Sequence, residues 1–380
     1  MFVFRKVRSA ALQAALLALV AGFFFVAFQA AHGRLEQRGI GSGFGFLDQP
    51  AGFKIIFHLI AYDERSTYGA ALLVGILNTL LLSAVAIAVA TVTGFLLGIA
   101  RLSPNWLVRV MAAFYVEVFR NIPPLLQIFF WYFSVLRSLP TVKNSFSLGD
   151  LFFINNRGLA APFPAAGENF SAYVCILAAL ALLYAAGRFL LARTYGGGRA
   201  KSLSRMLLGA ILLAALLFPA AVPGVLEWSV PSLHGFRFEG GFNLIPEFLA
   251  VEFSLIIYTS AYIAEIVRAG FQSVRPRQID AGRALGLTRI LVLRHVILPQ
   301  ALRVIIPPLS SQYMNLVKNT SLASAIAFPD LVSVFAGTVL NQTGQAVEVM
   351  AITMTFYFVS TMAVTTFMNW YNARMRLKER

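Results

Sequence analysis

The chain has 380 residues, 58% of them hydrophobic and 12% charged, with a mean hydropathy of +0.74. Soluble domains carry about 25% charged residues, so the composition excludes an ordinary soluble protein and indicates one built for lipid. The formal net charge of +15 comes from Lys and Arg placed beside apolar runs, which bears on orientation in a bilayer rather than on nucleic acid.

A helix of about 20 apolar residues crosses a bilayer. Eight segments fit: 10–31, 71–100, 110–135, 171–192, 206–222, 248–267, 304–325 and 346–370. The first follows FRKVRS, has an apolar core too long for a signal peptide, and is read as an anchor. The second is long enough to tilt. The third and seventh contain prolines and polar residues. Loops 32–70 and 136–170 read as extracytoplasmic connectors, and TYGGGRAKSLSR (194–205) as a flexible cytoplasmic linker. The pattern GxxxxGK[ST] occurs nowhere, so the chain carries no phosphate loop of its own. These segments predict an all-α polytopic membrane protein with about eight transmembrane helices.

With the N-terminus inside and sides alternating, the cytoplasmic segments hold 21 Lys/Arg and the opposite ones 8. That bias predicts both termini in the cytoplasm. Cys175, alone in AYVCILAALALL, excludes an intramolecular disulfide and is read as a small buried hydrophobe. The four histidines are far apart and form no HxxxH or HxxE pattern, so no metal site is expected.

The cytoplasmic segment IDAGRALGLTRILVLRHVILPQ (279–300) has its own local logic. Pro276 can open a short helix, Gly286 is placed to end it, and Thr288 to cap a second helix that Pro299 stops or kinks. Ala281 and Gly282 would let another surface approach closely. The plain alternative is a solvated basic loop.

This segment resembles the cytoplasmic signature of binding-protein-dependent ABC importer permeases: EAA, three residues, Gly, nine residues, I-x-L-P. The chain has Asp280-Ala281-Gly282, then Gly286, then Val296-Ile297-Leu298-Pro299 at the same spacing. Asp280, Gly282 and Val296 depart from it. YVEVFRNIPPLLQIFFWYF (115–133), SAYIAEIVRAGFQSV (260–274) and LVKNTSLASAIAFPDL (316–331) resemble segments of the polar amino-acid group of that family, of histidine/glutamate/arginine type, although Ile122 and Pro124 depart from it. The extra length looks like the Q-type permeases of general L-amino-acid importers.

The resemblance implies an ABC importer type I permease core in a bacterial inner membrane, divided as follows. Residues 1–70 would be an anchor and periplasmic loop, and 71–136 the first part of the core. Residues 137–245 would be an insertion with two extra spans, and 246–380 the second part, with the coupling helix at 276–299. It implies coupling to a separate ABC ATPase dimer through Asp280, Ala281, Gly282, Gly286, Val296, Leu298 and Pro299. It further implies a second paralogous permease in a heterodimer, a periplasmic amino-acid-binding protein, L-amino acids as substrate, surrounding lipid, and no nucleic acid. The chain would be a transport subunit, not an enzyme, with no cofactor; ATP and Mg would be bound by the partner. An ion-coupled secondary amino-acid transporter is the alternative, but no inverted repeat is visible.

Polar residues inside spans are costly and mark pathways or partners. Arg120, Asn121 and Pro123 sit at a helix break that can expose backbone to a carboxylate; the alternative is a kinked helix with Arg120 paired to Glu117. Lys318, Thr320 and Ser321 form a polar patch that lines a path or packs between helices. Asp330 can hold a substrate ammonium, cap a helix or pair with Lys318. Glu265 and Arg268 read as a pair, and Trp131, Tyr132, Trp228, Trp370 and Tyr371 as interfacial anchors.

Overall fold

A computed structural model describes residues 43–194, 197–222, 224–235 and 237–375, with scattered residues between 13 and 30. The expected first span, 10–31, lies largely outside the described residues. The chain divides into two compact units, one ending at Ser134 and resuming at Glu247, the other Val135–Pro246.

The first unit begins with a 3-10 turn, Phe44–Asp48, and a loop. Helix α1 (Tyr68–Ala100) follows, with the Thr67 hydroxyl accepting from the Ala70 N–H. Helix α2 (Trp106–Asn121) is capped by the Asn105 side chain. Ile122 and Pro123 are extended, because a proline forces its predecessor out of the helical region. Helix α3 (Pro124–Phe129) then runs into a π-helical turn, Phe130–Val135. Together these last two reach about 18 Å at 1.5 Å per residue, short of the roughly 30 Å hydrocarbon core. The stretch 110–135 is therefore not one spanning helix.

The second unit holds short strands and a helical hairpin. Strands β1 (Phe146–Leu148), β2 (Phe152–Asn155), β3 (Gly158–Ala161) and β4 (Phe163–Ala166) precede helices α4 (Phe170–Thr194) and α5 (Gly197–Ala221). Strands β5 (Leu226–Ser229), β6 (Ser232–His234), β7 (Arg237–Glu239) and β8 (Phe242–Leu244) follow. The order β1-β2-β3-β8 makes one sheet, and β4-β5 and β6-β7 make two ribbons. All named pairs are antiparallel. The loop expectation for 136–170 is thus corrected: strands of three or four residues are too short for alternation to register in sequence. The expected linker at 194–205 is helical from Gly197 onward. Cys175 is exposed rather than buried.

The first unit resumes with α6 (Pro246–Gln272), α7 (Pro276–Ala284) and α8 (Arg289–Val292). The last leads through a π-helical turn, Leu293–Ile297, into α9 (Leu298–Asn319). Pro299 does not stop this run. It falls in the first turn of α9, where its missing N–H is harmless, and the π-helical turn before it absorbs the mismatch. A 3-10 segment (Thr320–Ile326), a π-helical one (Val332–Val339), α10 (Leu340–Thr343) and α11 (Ala346–Met375) complete the described chain.

Among the described residues five helices are long and apolar enough to cross a membrane: Tyr68–Ala100, Phe170–Leu191, Pro246–Gln272, Arg289–Ile326 and Ala346–Arg374. The fifth expected segment, 206–222, falls in α5, whose apolar stretch, Ser202–Phe218, is shorter. Of the seven expected spans that fall within the described residues, five are thus matched by such a helix, 206–222 by a shorter one, and 110–135 by a broken pair of helices.

Helix α1 packs on α6 through small residues. Ala86, Ala90, Gly94 and Gly98 recur every four residues and are all buried. A Cβ at Gly94 would lie 2.6 Å from Ile263, and one at Gly98 2.7 Å from Val267. Lipid gives no hydrophobic drive between helices, so such close approach supplies the attraction through dispersion. The matched register makes α1 and α6 parallel.

Candidate functional site

The C-terminal ends of α1, α2 and α6 meet in a charged cluster around Glu265. Arg101 and Arg268 both bond its carboxylate, and Arg120 Nη1 stands 3.8 Å from it. Arg101 also reaches Glu117 at 4.0 Å. The Arg120 guanidinium lies 5.1 Å from the Tyr262 ring centroid. Arg120 is thus held by α6 rather than by Glu117, and Glu265 does pair with Arg268. Asn121 and Pro123 are exposed beside it. The carbonyls of Phe119 and Ile122 at the break accept from the Gln127 side-chain amide at 3.1 and 3.0 Å.

The element after α6 is built by its glycines. Gly286 has φ +79°, a left-handed conformation that suits glycine. Its N–H donates to Arg283 O at 2.9 Å, and the Leu287 N–H to Gly282 O at 3.2 Å. These two bonds are the Schellman ending of a helix. Thr288 occupies the N-cap position of α8 without a side-chain cap bond. Gly282 is buried against Val292 and Val296. It therefore faces the chain's own second helix and the turn after it, not an outside surface. Asp280 is exposed, with Arg283 at 3.7 Å, and Ala281 is exposed beside it. Val296, Leu298 and Pro299 are half-buried. Leu285 and Ile290 stand 82% and 75% exposed at the turn, an apolar pair on a rigid element.

Toward the N-terminal end of α1 lies a buried polar cluster: Asn78, Thr79, Thr320 and Asp330. Thr79 Oγ1 accepts from the Leu331 N–H at 3.0 Å. Asp330 Oδ1 accepts from the Ser333 N–H at 2.9 Å, a cap-like bond, while Oδ2 has no partner. Thr320 and Ser321 hydroxyls donate to Val317 O and Lys318 O, each at 2.7 Å. Lys318 is exposed, and Asp330 is buried. The predicted residues therefore fall into separate places: Arg120 in the charged cluster, Thr320 and Asp330 in the buried polar one.

Sequence reasoning missed Asn78 and Glu252. Glu252 is buried on α6 with neither carboxylate oxygen partnered. The available signal was a single acid between Phe248 and Ala264 in an otherwise uncharged run. Trp131 and Tyr132, expected as interfacial anchors, pack inward: the Trp131 ring lies 5.4 Å from Phe253, and Tyr132 donates to Glu247 at 2.7 Å. No group of three or more potential metal ligands forms among the described residues.

Comparison with known proteins follows this geometry. Residues 90–377 match the family described as binding-protein-dependent transport system inner membrane component. YhdX of Escherichia coli strain K12 is 52% identical, over 91% of this chain and 88% of its own. The general L-amino acid transport system permease protein AapQ of Rhizobium johnstonii is 43% identical, over 99% and 94%. The glutamate/glutamine/aspartate/asparagine transport system permease protein BztB of Rhodobacter capsulatus is 35% identical, over 96% and 92%. A crystal structure of an amino acid ABC transporter with histidines covers 81% of this chain and 95% of its own, at 21% identity and a TM-score of 0.48. The helical spans, the glycine-ended cytoplasmic element and the family match over most of its length agree: the chain belongs to the binding-protein-dependent transport system inner membrane components, as a non-enzymatic ABC transporter permease subunit.

Proposed function

We propose that this chain is the permease subunit of an ATP-driven importer that moves L-amino acids from periplasm to cytoplasm across a bacterial inner membrane. A binding protein delivers the substrate, a second permease completes the pore, and a separate ATPase dimer binds ATP and Mg. The observation that carries the reading is the 276–299 element. A Schellman turn stiffens it, and it offers Leu285 and Ile290 to a partner while the chain lacks a nucleotide loop. A displacement in an ATPase can be passed to α6 and α9 only by a docked rigid piece. Asp280, Ala281 and Gly286 form its outer side, and Gly282, Val296, Leu298 and Pro299 its base. Kinship with permeases named for amino acids supports the substrate class.

In this reading Asp330 and Thr320, with neighbouring Ser321 and Lys318, lie on the substrate path. The free Asp330 oxygen suits an α-ammonium. Arg120, Asn121 and Pro123 would act where the path opens inward. The test is reconstitution with the ATPase, comparing the parent with Gly286→Arg and Asp280→Arg. ATPase co-purification and labelled amino-acid uptake should both fall at least tenfold. Normal assembly and uptake in both variants would remove the coupling role.

A further inference from the structure

The loop before α1 is folded and packed on the helices below it. Its ends are pinned: the Ala51 N–H donates to Ser66 O at 2.8 Å and the Gly52 N–H to Glu64 O at 3.1 Å. That makes residues 51–66 an Ω-loop, whose ends meet and whose side chains pack inside. Ile55 and Phe57 point inward while Ile56 between them is 84% exposed. The Phe57 ring lies 5.5 Å from Phe248 and 5.7 Å from Phe328, and those two are 5.9 Å apart.

Asn78 ties this cover to the polar cluster. Its Nδ2 donates to Phe57 O and to Pro329 O, each at 2.8 Å. One amide thus clasps the loop and the Phe328–Asp330 segment to α1 together. Beneath it, Asn78 Oδ1 and Asp330 Oδ2 are buried without partners. Burying unpaired polar atoms costs free energy. A permanent cap would gain by being apolar there, so the cluster is better suited to a closed state that alternates with an open one. A loop pinned at its ends can lift as a unit without unfolding the helices below.

We propose that loop 51–66 is the outer gate of the substrate path, with Phe57 as its plug and Asn78 as its latch. This rests on the import reading above. Lifting the loop breaks the Asn78 bond to Phe57 O, leaves the one to Pro329 O in place, and opens Asp330 to an arriving ammonium group; closure shuts water out. Asn78 is a positioning residue: it sets which state the gate occupies.

The test uses the assembled transporter in proteoliposomes, with Cys175→Ser as background. Phe57→Cys and Phe328→Cys are joined by a short bis-methanethiosulfonate reagent that dithiothreitol reverses. Bridging should lower uptake at least tenfold against the same protein after reduction, with ATPase association unchanged. Equal uptake before and after reduction overturns the gate. A second measurement does not depend on transport: an impermeant maleimide labels Phe57→Cys from outside. Adding Asn78→Leu should raise the labelling rate at least fivefold, and an unchanged rate overturns the latch. A parent that takes up no amino acid would count against the import reading, while the labelling result still decides the gate.

Discussion

Gly94 of α1 lies so close to Ile263 of α6 that an added Cβ would stand 2.6 Å from the Ile263 Cβ. Neither helix has slack there, since Ser260 O is 3.0 Å from the same point. Gly94→Ala should therefore destabilise the protein by about 1–3 kcal/mol, read as a lower Tm in detergent. Gly209→Ala in α5 meets nothing within 4 Å and should leave Tm unchanged or slightly higher.

Glu265 is the shared counter-ion of Arg101, Arg120 and Arg268. Glu265→Ala leaves three guanidinium groups facing one another and should cost on the order of 1–3 kcal/mol. Arg101 is 12% exposed and Arg268 28%, so Arg101→Gln should lower Tm more than Arg268→Gln. The reverse order would show that burial does not set the strength of this cluster.

Gly282 and Gly286 should respond to alanine with opposite signs. At Gly282 an added Cβ would make ordinary contact, 3.4 Å from Val292, and alanine is the better helix former by about 0.5–1 kcal/mol. Gly282→Ala should raise Tm and keep ATPase association. At Gly286 no atom blocks a Cβ, but φ is +79°, which costs a side-chain-bearing residue about 1–2 kcal/mol. Gly286→Ala should lower Tm and weaken ATPase co-purification.

Asp63 closes the turn of the Ω-loop. A hydrogen bond from the Ser66 hydroxyl, helped by the Arg65 N–H, holds its carboxyl below the usual value. A depressed folded pKa stabilises the turn above the ordinary aspartate value of about 4 and loses that effect as pH falls through the folded value. Hydrogen exchange at the Arg65 amide should be slow at neutral pH and speed up in acid beyond its intrinsic pH dependence. In Asp63→Asn that extra acid dependence should vanish.

Glu252 is a buried carboxyl without a hydrogen-bond partner. Glu252→Leu removes that desolvation cost, so Tm should rise. If uptake falls in the same variant, the acid is kept for transport rather than for the fold. A lower Tm would mean that packing outweighs the unpartnered carboxyl.

The sequence by itself determined the membrane class, the long apolar helices and the helix–glycine–helix element. Length, hydropathy and glycine spacing are local quantities, and each element forms from its own residues. The same local logic went too far at 110–135, where apolarity continues through Pro123 and Pro124 but the helix does not. It fell short at 146–166, where strands of three or four residues leave no periodic trace.

Tertiary structure alone decided the partners. Arg120 turned from Glu117 on its own helix to Glu265 and Tyr262 across a helix interface. Pairings that span hundreds of residues, such as Asn78 with Pro329 O, leave no mark on the residues between them. Loop 51–66 looked like a connector because its composition is mixed. What makes it a cover is that Ile55 and Phe57 face one way while Lys54 and Ile56 face the other. Only the packed surface below the loop decides which of those faces is the inside.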